Sequence, residues 1–243
     1  MVSLAGRVAL VTGASRGLGK AMAFALAEAG AAVAVNYRVQ AEAAQAVCES
    51  IRALGRQAIA VQGDVSGSAD VERVVSTTET ELGPVGILVN NAGIGKIIPS
   101  DQVTEEIWNQ YLRVNLTSVF LVTQRALPSM RAAKWGRIIN LSSVAAQYGG
   151  VIGPHYSATK AGILGLTRCY ASQFASEGIT CNALAPALIE SDMVAGLPKD
   201  IVTRIPMRRM GSPDEVGRLA VLLAQSDFIT GQTINPNGGM YLT

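Results

Sequence analysis

Arg7-Val8-Ala9-Leu10-Val11-Thr12-Gly13-Ala14-Ser15-Arg16-Gly17-Leu18-Gly19, near the start of the chain, carries the pattern that decides the fold. A short β-branched run ending at a glycine is what a parallel strand buried on both faces looks like. The stretch from about Gly17 to Ala29 is rich in Ala, Leu and Met and stops at Gly30, which predicts a helix with a glycine stop. Between strand and helix the glycines Gly13, Gly17 and Gly19 are spaced GxxxGxG. Glycines there allow a tight turn and close backbone approach, and the helix N-terminus offers free N–H groups to a pyrophosphate. A glycine-rich turn alone is a weak signal. The strand before it and the helix after it supply the context that makes it a nucleotide site.

Working outward, the same alternation continues. Strands are predicted at Ala32 to Tyr37, Ala58 to Gln62, Ile87 to Asn90, Arg137 to Leu141, Ile179 to Leu184 and Gln232 to Asn235. Helices are predicted at Gln40 to Leu54, Asp70 to Leu82, Thr104 towards Met130, Tyr156 to Ser176 and Pro213 to Gln225. Strands alternating with helices imply parallel pairing, because parallel strands need crossover connections. No repeat, linker or composition break divides the chain. The expectation is an α/β doubly wound Rossmann fold, one domain over residues 1–243, with a mostly or wholly parallel seven-stranded sheet flanked by helices.

Composition narrows the function classes. Charged residues are 16% and apolar residues 49%, which excludes disorder. The net charge of +2, with basic residues scattered, leaves no nucleic-acid footprint. Cys48, Cys169 and Cys181 form no CxxC pair, so neither a disulfide framework nor a zinc site is expected, and a reducing cytoplasmic setting suits them. No apolar run reaches the roughly 18 residues of a membrane span. The segment Met1 to Gly13 reads as a first strand, not as a signal peptide.

Cofactor choice turns on the end of the second strand. An acid about 20 residues beyond the glycine turn would hold the adenosine ribose and select NAD. This chain has Asn36-Tyr37-Arg38 there, and Arg16 lies inside the turn. Two guanidinium groups could flank a 2′-phosphate, so NADPH/NADP+ is the expected cofactor.

The chemistry-bearing pattern lies further on. In Tyr156-Ser157-Ala158-Thr159-Lys160 a phenol and an ammonium are four residues apart, on one face of a helix. A tyrosine near its ordinary value is a poor proton donor at neutral pH, and an adjacent cation would draw it towards the working range. Ser143, thirteen residues upstream, follows the predicted strand at the edge where open α/β sheets bind ligands. The single histidine, His155, has no nucleophile-elbow sequence to serve, which removes a serine hydrolase. It is expected to be a pocket-rim or hydrogen-bonded structural residue. A zinc alcohol dehydrogenase would need ligands the chain cannot assemble.

Together, Thr12 to Gly19, Asn90-Asn91-Ala92-Gly93, Asn115, Ser143 and Tyr156 to Lys160 make the chain resemble the short-chain dehydrogenase/reductase family over essentially its whole length. Within that family it is most similar to the 3-oxoacyl-acyl-carrier-protein reductases, through Gly13 to Gly19, Val114 to Phe120, Ile229 to Gln232 and Asn237 to Met240. The resemblance implies that Tyr156 donates the proton, Ser143 polarises the substrate oxygen and Asn115 holds a relay water. Lys160 would bind the nicotinamide ribose and lower the phenol's pKa. It further implies cofactor contacts at Gly13, Ser15, Arg16, Gly17, Leu18, Gly19, Arg38, Asp64, Val65, Asn91, Ala92, Gly93, Tyr156, Lys160, Pro186, Ile189 and Ser191, with no metal.

Ala187 departs from the glycine usual after Pro186, and would be strained if that position needs a positive φ. Glu177 stands where relatives that serve acyl carrier protein carry a basic residue, which would repel an acidic carrier, with Lys134 and Arg168 as partial substitutes. The substrate expected is a ketone, as a 3-oxoacyl thioester. The alternatives are a small or cyclic ketone, or a sugar or alcohol oxidised in the reverse direction. The outer sides of the helical stretches Thr104 to Met130 and Tyr156 to Ser176 look too apolar for water, and the resemblance implies a homotetramer. The aperiodic stretch 187–206 is expected to be a lid over the substrate.

Overall fold

The computed structural model describes residues 3–191 and 199–242. A seven-stranded sheet has the order β3-β2-β1-β4-β5-β6-β7, and every pairing is parallel. The strands are β1 Val8–Val11, β2 Ala32–Tyr37, β3 Ala58–Gln62, β4 Val85–Asn90, β5 Gly136–Leu141, β6 Ile179–Leu184 and β7 Thr233–Ile234. Central strands β1, β5 and β6 are buried at every position, whereas β3 and β7 at the two sides are partly exposed. That is why the central runs read as continuously apolar and lack alternation.

The helices are α1 Gly17–Glu28, α2 Ala41–Ala53, α3 Ser68–Leu82, α4 Glu105–Tyr111, α5 Ser118–Ala132, α6 Ala145–Tyr148, α7 Pro154–Phe174 and α8 Pro213–Gln225. One core packs α1, α2 and α8 against the sheet through Met22, Leu26, Val47, Ile51, Val216 and Leu223. The other packs α3, α5 and α7 through Val71, Val74, Val122, Met130 and Tyr170. Small residues set the first interface. A Cβ on Gly217 of α8 would lie 3.0 Å from the Ala21 carbonyl oxygen of α1. Ser212 and Glu215 close a capping box at the start of α8, so this helix has a sharply defined entry.

The stretch expected as one helix from Thr104 towards Met130 is instead divided. Between α4 and α5 lies a π turn, Leu112–Thr117. Such a wide turn carries no propensity signature, and it places Asn115 inside the fold with no exposure. The short α6 was also not anticipated, since one turn is below the length at which periodicity can be read. Residues 192–198 of the expected lid lie outside the described residues. Around them, Ile189 forms a β-bridge to Gly211, and Lys199–Arg204 is a 3₁₀ helix.

Strand order reverses between β1 and β4. Crevices at such points, beyond the carboxyl ends of the strands, are where doubly wound sheets take ligands.

Candidate active site

The glycine turn is fixed by three buried or half-buried polar side chains from its neighbours. Asn36 of β2 accepts from the Gly13 N–H at 3.2 Å and donates to the Val61 and Gly63 carbonyls. Thr12 accepts from the N–H groups of Asn91 and Ala92, each at 3.0 Å, and donates to the Val89 carbonyl. Asn91 donates to the Thr12 and Gly13 carbonyls at 2.9 and 3.1 Å. The first and fourth strands are thereby clamped at the point where the sheet order reverses.

Gly19 shows how close the packing is. A Cβ there would lie 2.5 Å from both the Asn91 side-chain nitrogen and the Gly13 carbonyl oxygen. Gly13 has φ +63°, a conformation natural to glycine. Arg16 precedes α1 in an extended conformation with no side-chain cap, and no acid occupies the first turn. The uncapped amide end of α1 and a cradle with no room for side chains fit a dinucleotide pyrophosphate.

Beside this cradle, Arg38 follows β2 and pairs with Asp64 at 3.4 Å, both well exposed. Ser15 donates to the side chain of Gln40, at 3.3 Å. Gln40, which sequence reasoning did not single out, therefore belongs to the same rim. Hydrogen bonds from Ser66 and the Arg38 guanidinium outweigh burial and hold the Asp64 carboxyl below its ordinary range.

At the carboxyl ends of β4 and β5 the second group of residues converges. A Cβ on Gly93 would lie 3.2 Å from the Asn115 side-chain oxygen and 3.7 Å from Lys160 Nζ. Asn115 bonds the Ile94 main chain twice, accepting at 2.8 Å and donating at 2.9 Å, and donates to Thr159 at 3.3 Å. Ser143 follows β5, and its hydroxyl accepts from the Ala145 N–H that opens α6. Tyr156, near the start of α7, is buried with Ala145 and Tyr111 in a small cluster backed by Ile94 and Ile152. Lys160, one turn on, is buried with its Nζ donating to the Leu141 carbonyl at 2.7 Å and 5.6 Å from the Tyr156 ring centroid.

Burial dominates the electrostatics of this pair. It pushes the Tyr156 phenol above its ordinary value, against the Ser143 hydrogen bond, which favours the phenolate. It pushes the Lys160 ammonium down to about 8. In the protein alone burial is the largest influence on the phenol, and the lowering expected from Lys160 is not among the influences that shift it. The raised phenol stays protonated at neutral pH but is a weaker acid than a free tyrosine, and a carbonyl oxygen placed within reach of both Ser143 and Tyr156 could accept from the two hydroxyls.

Comparison with known proteins now decides the family. The family model described as short chain dehydrogenase matches residues 7–201. The chain is a short-chain dehydrogenase/reductase. It is 44% identical over 246 residues, all of both chains, to a Synechocystis protein named 3-oxoacyl-[acyl-carrier-protein] reductase. A Staphylococcus aureus protein of the same name is 42% identical, covering 96% of this chain and 98% of its own. A solved Sinorhizobium meliloti chain, provisionally assigned as a short-chain alcohol dehydrogenase, superposes with a TM-score of 0.93 at 39% identity over 98% of this chain and 97% of its own. As a member of this family the protein is an oxidoreductase of CH–OH and C=O groups that works with a nicotinamide cofactor.

Three readings of this short-chain dehydrogenase need correction. His155 is fully buried, its ring packs edge-on against Tyr111 at 4.2 Å between centroids, and neither nitrogen has a hydrogen-bond partner. It is neither on the rim nor hydrogen-bonded. Ala187 carries no left-handed strain, since among the described residues only Lys134 and Arg208 are non-glycines with positive φ. Its N–H donates to the Pro236 carbonyl. Glu177 lies two residues before the start of β6 and so at the amino edge of the sheet, away from the group at its carboxyl edge, with Arg131 at 3.0 Å and Lys134 at 3.6 Å. Within one chain it presents no free negative charge to the site.

The remaining named positions are also placed. Pro186 accepts from the Val144 N–H, which brings the loop after β6 against Ser143. Ile189 is buried against Gly211, and Ser191 donates to the Ile189 carbonyl at 3.2 Å. Val65 is buried in the α3 core. The described residues contain no cluster able to hold a metal and no helix long and apolar enough to cross a membrane.

Proposed function

We propose that this enzyme reduces the ketone of a 3-oxoacyl thioester to a secondary alcohol with NADPH. One observation carries the reading: Gly93, Asn115, Ser143, Tyr156 and Lys160 meet at the carboxyl edge of β4 and β5, beside a glycine cradle that has no room for side chains. Full-length identity of 42–44% to proteins named 3-oxoacyl-[acyl-carrier-protein] reductase supports the choice of substrate.

In this reading Tyr156 gives its proton to the carbonyl oxygen, and Ser143 donates a hydrogen bond that orients and polarises it. Lys160 holds the nicotinamide ribose, and Asn115 fixes the Ile94 loop and the relay water that refills the phenol. Gly13, Ser15, Arg16, Gly17, Leu18 and Gly19 hold the pyrophosphate side, and Asp64 and Val65 the adenine. Asn91, Ala92 and Gly93, with Pro186, Ile189 and Ser191, hold the nicotinamide side. The bound cofactor supplies hydride to the carbonyl carbon, so hydride and the Tyr156 proton together make the alcohol.

NADPH is favoured by Arg38 and Arg16 with no acid at the end of β2. The Arg38–Asp64 pair is exposed and therefore weak, so a 2′-phosphate can take over the guanidinium. Comparing kcat/KM for NADPH and NADH tests this, and Arg38→Asp lowers the NADPH preference by about ten- to a hundredfold, the value of one lost charge-assisted contact.

The thioester's carrier would be acyl carrier protein or coenzyme A, in the cytoplasm. The partly exposed Trp108 and Phe120 on α4 and α5 support pairing of those helices in a homotetramer. A second reading, reduction of small or cyclic ketones, is favoured by the apolar lip around Tyr148 and Val151. Turnover of acetoacetyl-CoA set against simple ketones decides between them: absence of thioester activity removes the first.

A further inference from the structure

Several exposed apolar side chains lie on segments near Ser143 and Tyr156 or tied to them: Ile97, Tyr148, Val151, Met207 and Leu242, with Tyr241 partly buried. They come from four separate segments, and main-chain contacts join these segments. Ile98 donates to the Ile152 carbonyl at 3.0 Å, tying the loop after β4 to the loop after β5. Met207 donates to the Gly238 carbonyl at 3.1 Å, tying the end of the 187–206 stretch to the tail after β7. Asn237 folds that tail back, accepting from the Gly239 N–H at 2.9 Å and donating to the Tyr241 carbonyl at 2.7 Å. The Tyr241 ring then lies nearly parallel to Tyr148, with centroids 6.2 Å apart and planes at 18°.

Tyr148 is one helical turn from the catalytic hydroxyl. Ser143 accepts from the first N–H of α6, and Tyr148 is the last residue of that helix. Tyr156 is packed on Ala145 of the same turn. The stacked rings are thus joined to Ser143 and Tyr156 through the single turn of α6. The two segments that carry the ring pair are free of charge: no Asp, Glu, Lys or Arg occurs from Val144 to Pro154 or from Thr233 to Leu242, while Lys96 and Arg208 flank Ile97 and Met207 on the other two. Around the ring pair such a wall offers hydrophobic area and aromatic faces in preference to charge.

We infer that Tyr148 and Tyr241 act together as the specificity element of this enzyme, selecting ketones whose non-reacting side is an extended apolar chain or ring. The pair contacts that chain and leaves the chemistry to Tyr156 and Ser143. On the thioester reading above, on which this inference rests, the chain in question is the acyl chain beyond the reduced carbon. The tail after β7 is thereby part of the substrate site, and Asn237 is a positioning residue that holds Tyr241 in place.

The test measures kcat/KM with NADPH for 3-oxoacyl-CoA substrates of increasing chain length, in the wild type, Tyr148→Ala, Tyr241→Ala and the double variant. The expected result is a fall of about five- to tenfold in the long-to-short ratio in each single variant, the loss of one aromatic face. The double variant falls little further, because the rings work as a unit. Tyr148→Phe keeps the ring and recovers most of the ratio, and Leu54→Ala, at the other edge of the sheet, leaves the ratio unchanged. Thermal melts confirm that each variant is folded. Ratios unchanged within about twofold in both alanine variants overturn the inference. If no thioester is turned over, the thioester reading fails by itself. The same ratio is then read on simple ketones of increasing apolar bulk, where it again falls or overturns the inference.

Discussion

The two halves of the cleft are built in different ways. On the cofactor side, the turn from Thr12 to Gly19 is held by Asn36, Thr12 and Asn91, whose hydrogen bonds all go to main-chain groups. On the side assigned above to the substrate stands a set of exposed apolar side chains on α6, on loops and on the tail. The first half is a backbone shape that tolerates almost no change. The second is a surface whose chemistry can vary without disturbing the sheet. Recognition of a shared cofactor by main chain and of a particular ketone by side chains follows from that division.

Mutation separates the two halves. The largest effect after loss of Tyr156 is expected at Ser143, where the two halves meet. Ser143→Ala removes the donor that favours the phenolate and polarises the carbonyl, so kcat falls by about a hundredfold or more while the KM for NADPH stays near the wild-type value. A change in NADPH affinity of similar size would show that Ser143 belongs to the cofactor half.

Gly19→Ala is the next in size. Its methyl would press on the Gly13 carbonyl at 2.5 Å, so the turn has to shift. The expected outcome is a loss of roughly 1–3 kcal/mol in denaturant unfolding, as for overpacking elsewhere, together with a raised KM for NADPH. A stable variant with ordinary NADPH binding would mean that the turn is more compliant than its packing indicates.

The smallest effect concerns pH. Burial lowers the Lys160 ammonium from 10.5 to about 8, so the cation is present below pH 8 and lost as pH rises through it. If the cation is needed to hold the ribose, kcat/KM is flat below that value and declines above it. The sign for stability is opposite. The native state binds fewer protons than the unfolded chain between about 8 and 10.5, so Lys160's contribution rises with pH across that window. A rate profile with no limb near 8 would separate Lys160 from turnover.

Much of this was legible in the residues. Ala32–Tyr37, Ala58–Gln62, Ile179–Leu184 and Pro213–Gln225 have the ends read from sequence, because buried parallel strands and a capped helix announce themselves locally. The grouping of Gly93, Asn115, Ser143, Tyr156 and Lys160 was expected through resemblance alone; the fold sets Gly93 near Asn115 and Lys160, and Lys160 near the Tyr156 ring. What failed depends on tertiary distance. That burial dominates at Tyr156 follows from how the phenol packs among Tyr111, Ala145 and Ile152. The harmlessness of Glu177 follows from which sheet edge it occupies, and the pairing of Tyr148 with Tyr241 joins residues far apart in the chain. The π turn that buries Asn115 has no local signal at all.

The central claim is that the buried phenol of Tyr156 supplies the proton while the cofactor cradle works independently of it. Tyr156→Phe, assayed by NADPH-binding fluorescence and by single-turnover reduction of acetoacetyl-CoA, tests it most directly. Binding is expected to be nearly unchanged while the reduction rate falls by roughly a hundred- to ten-thousandfold, the value of a positioned general acid. Reduction at close to the wild-type rate would contradict it.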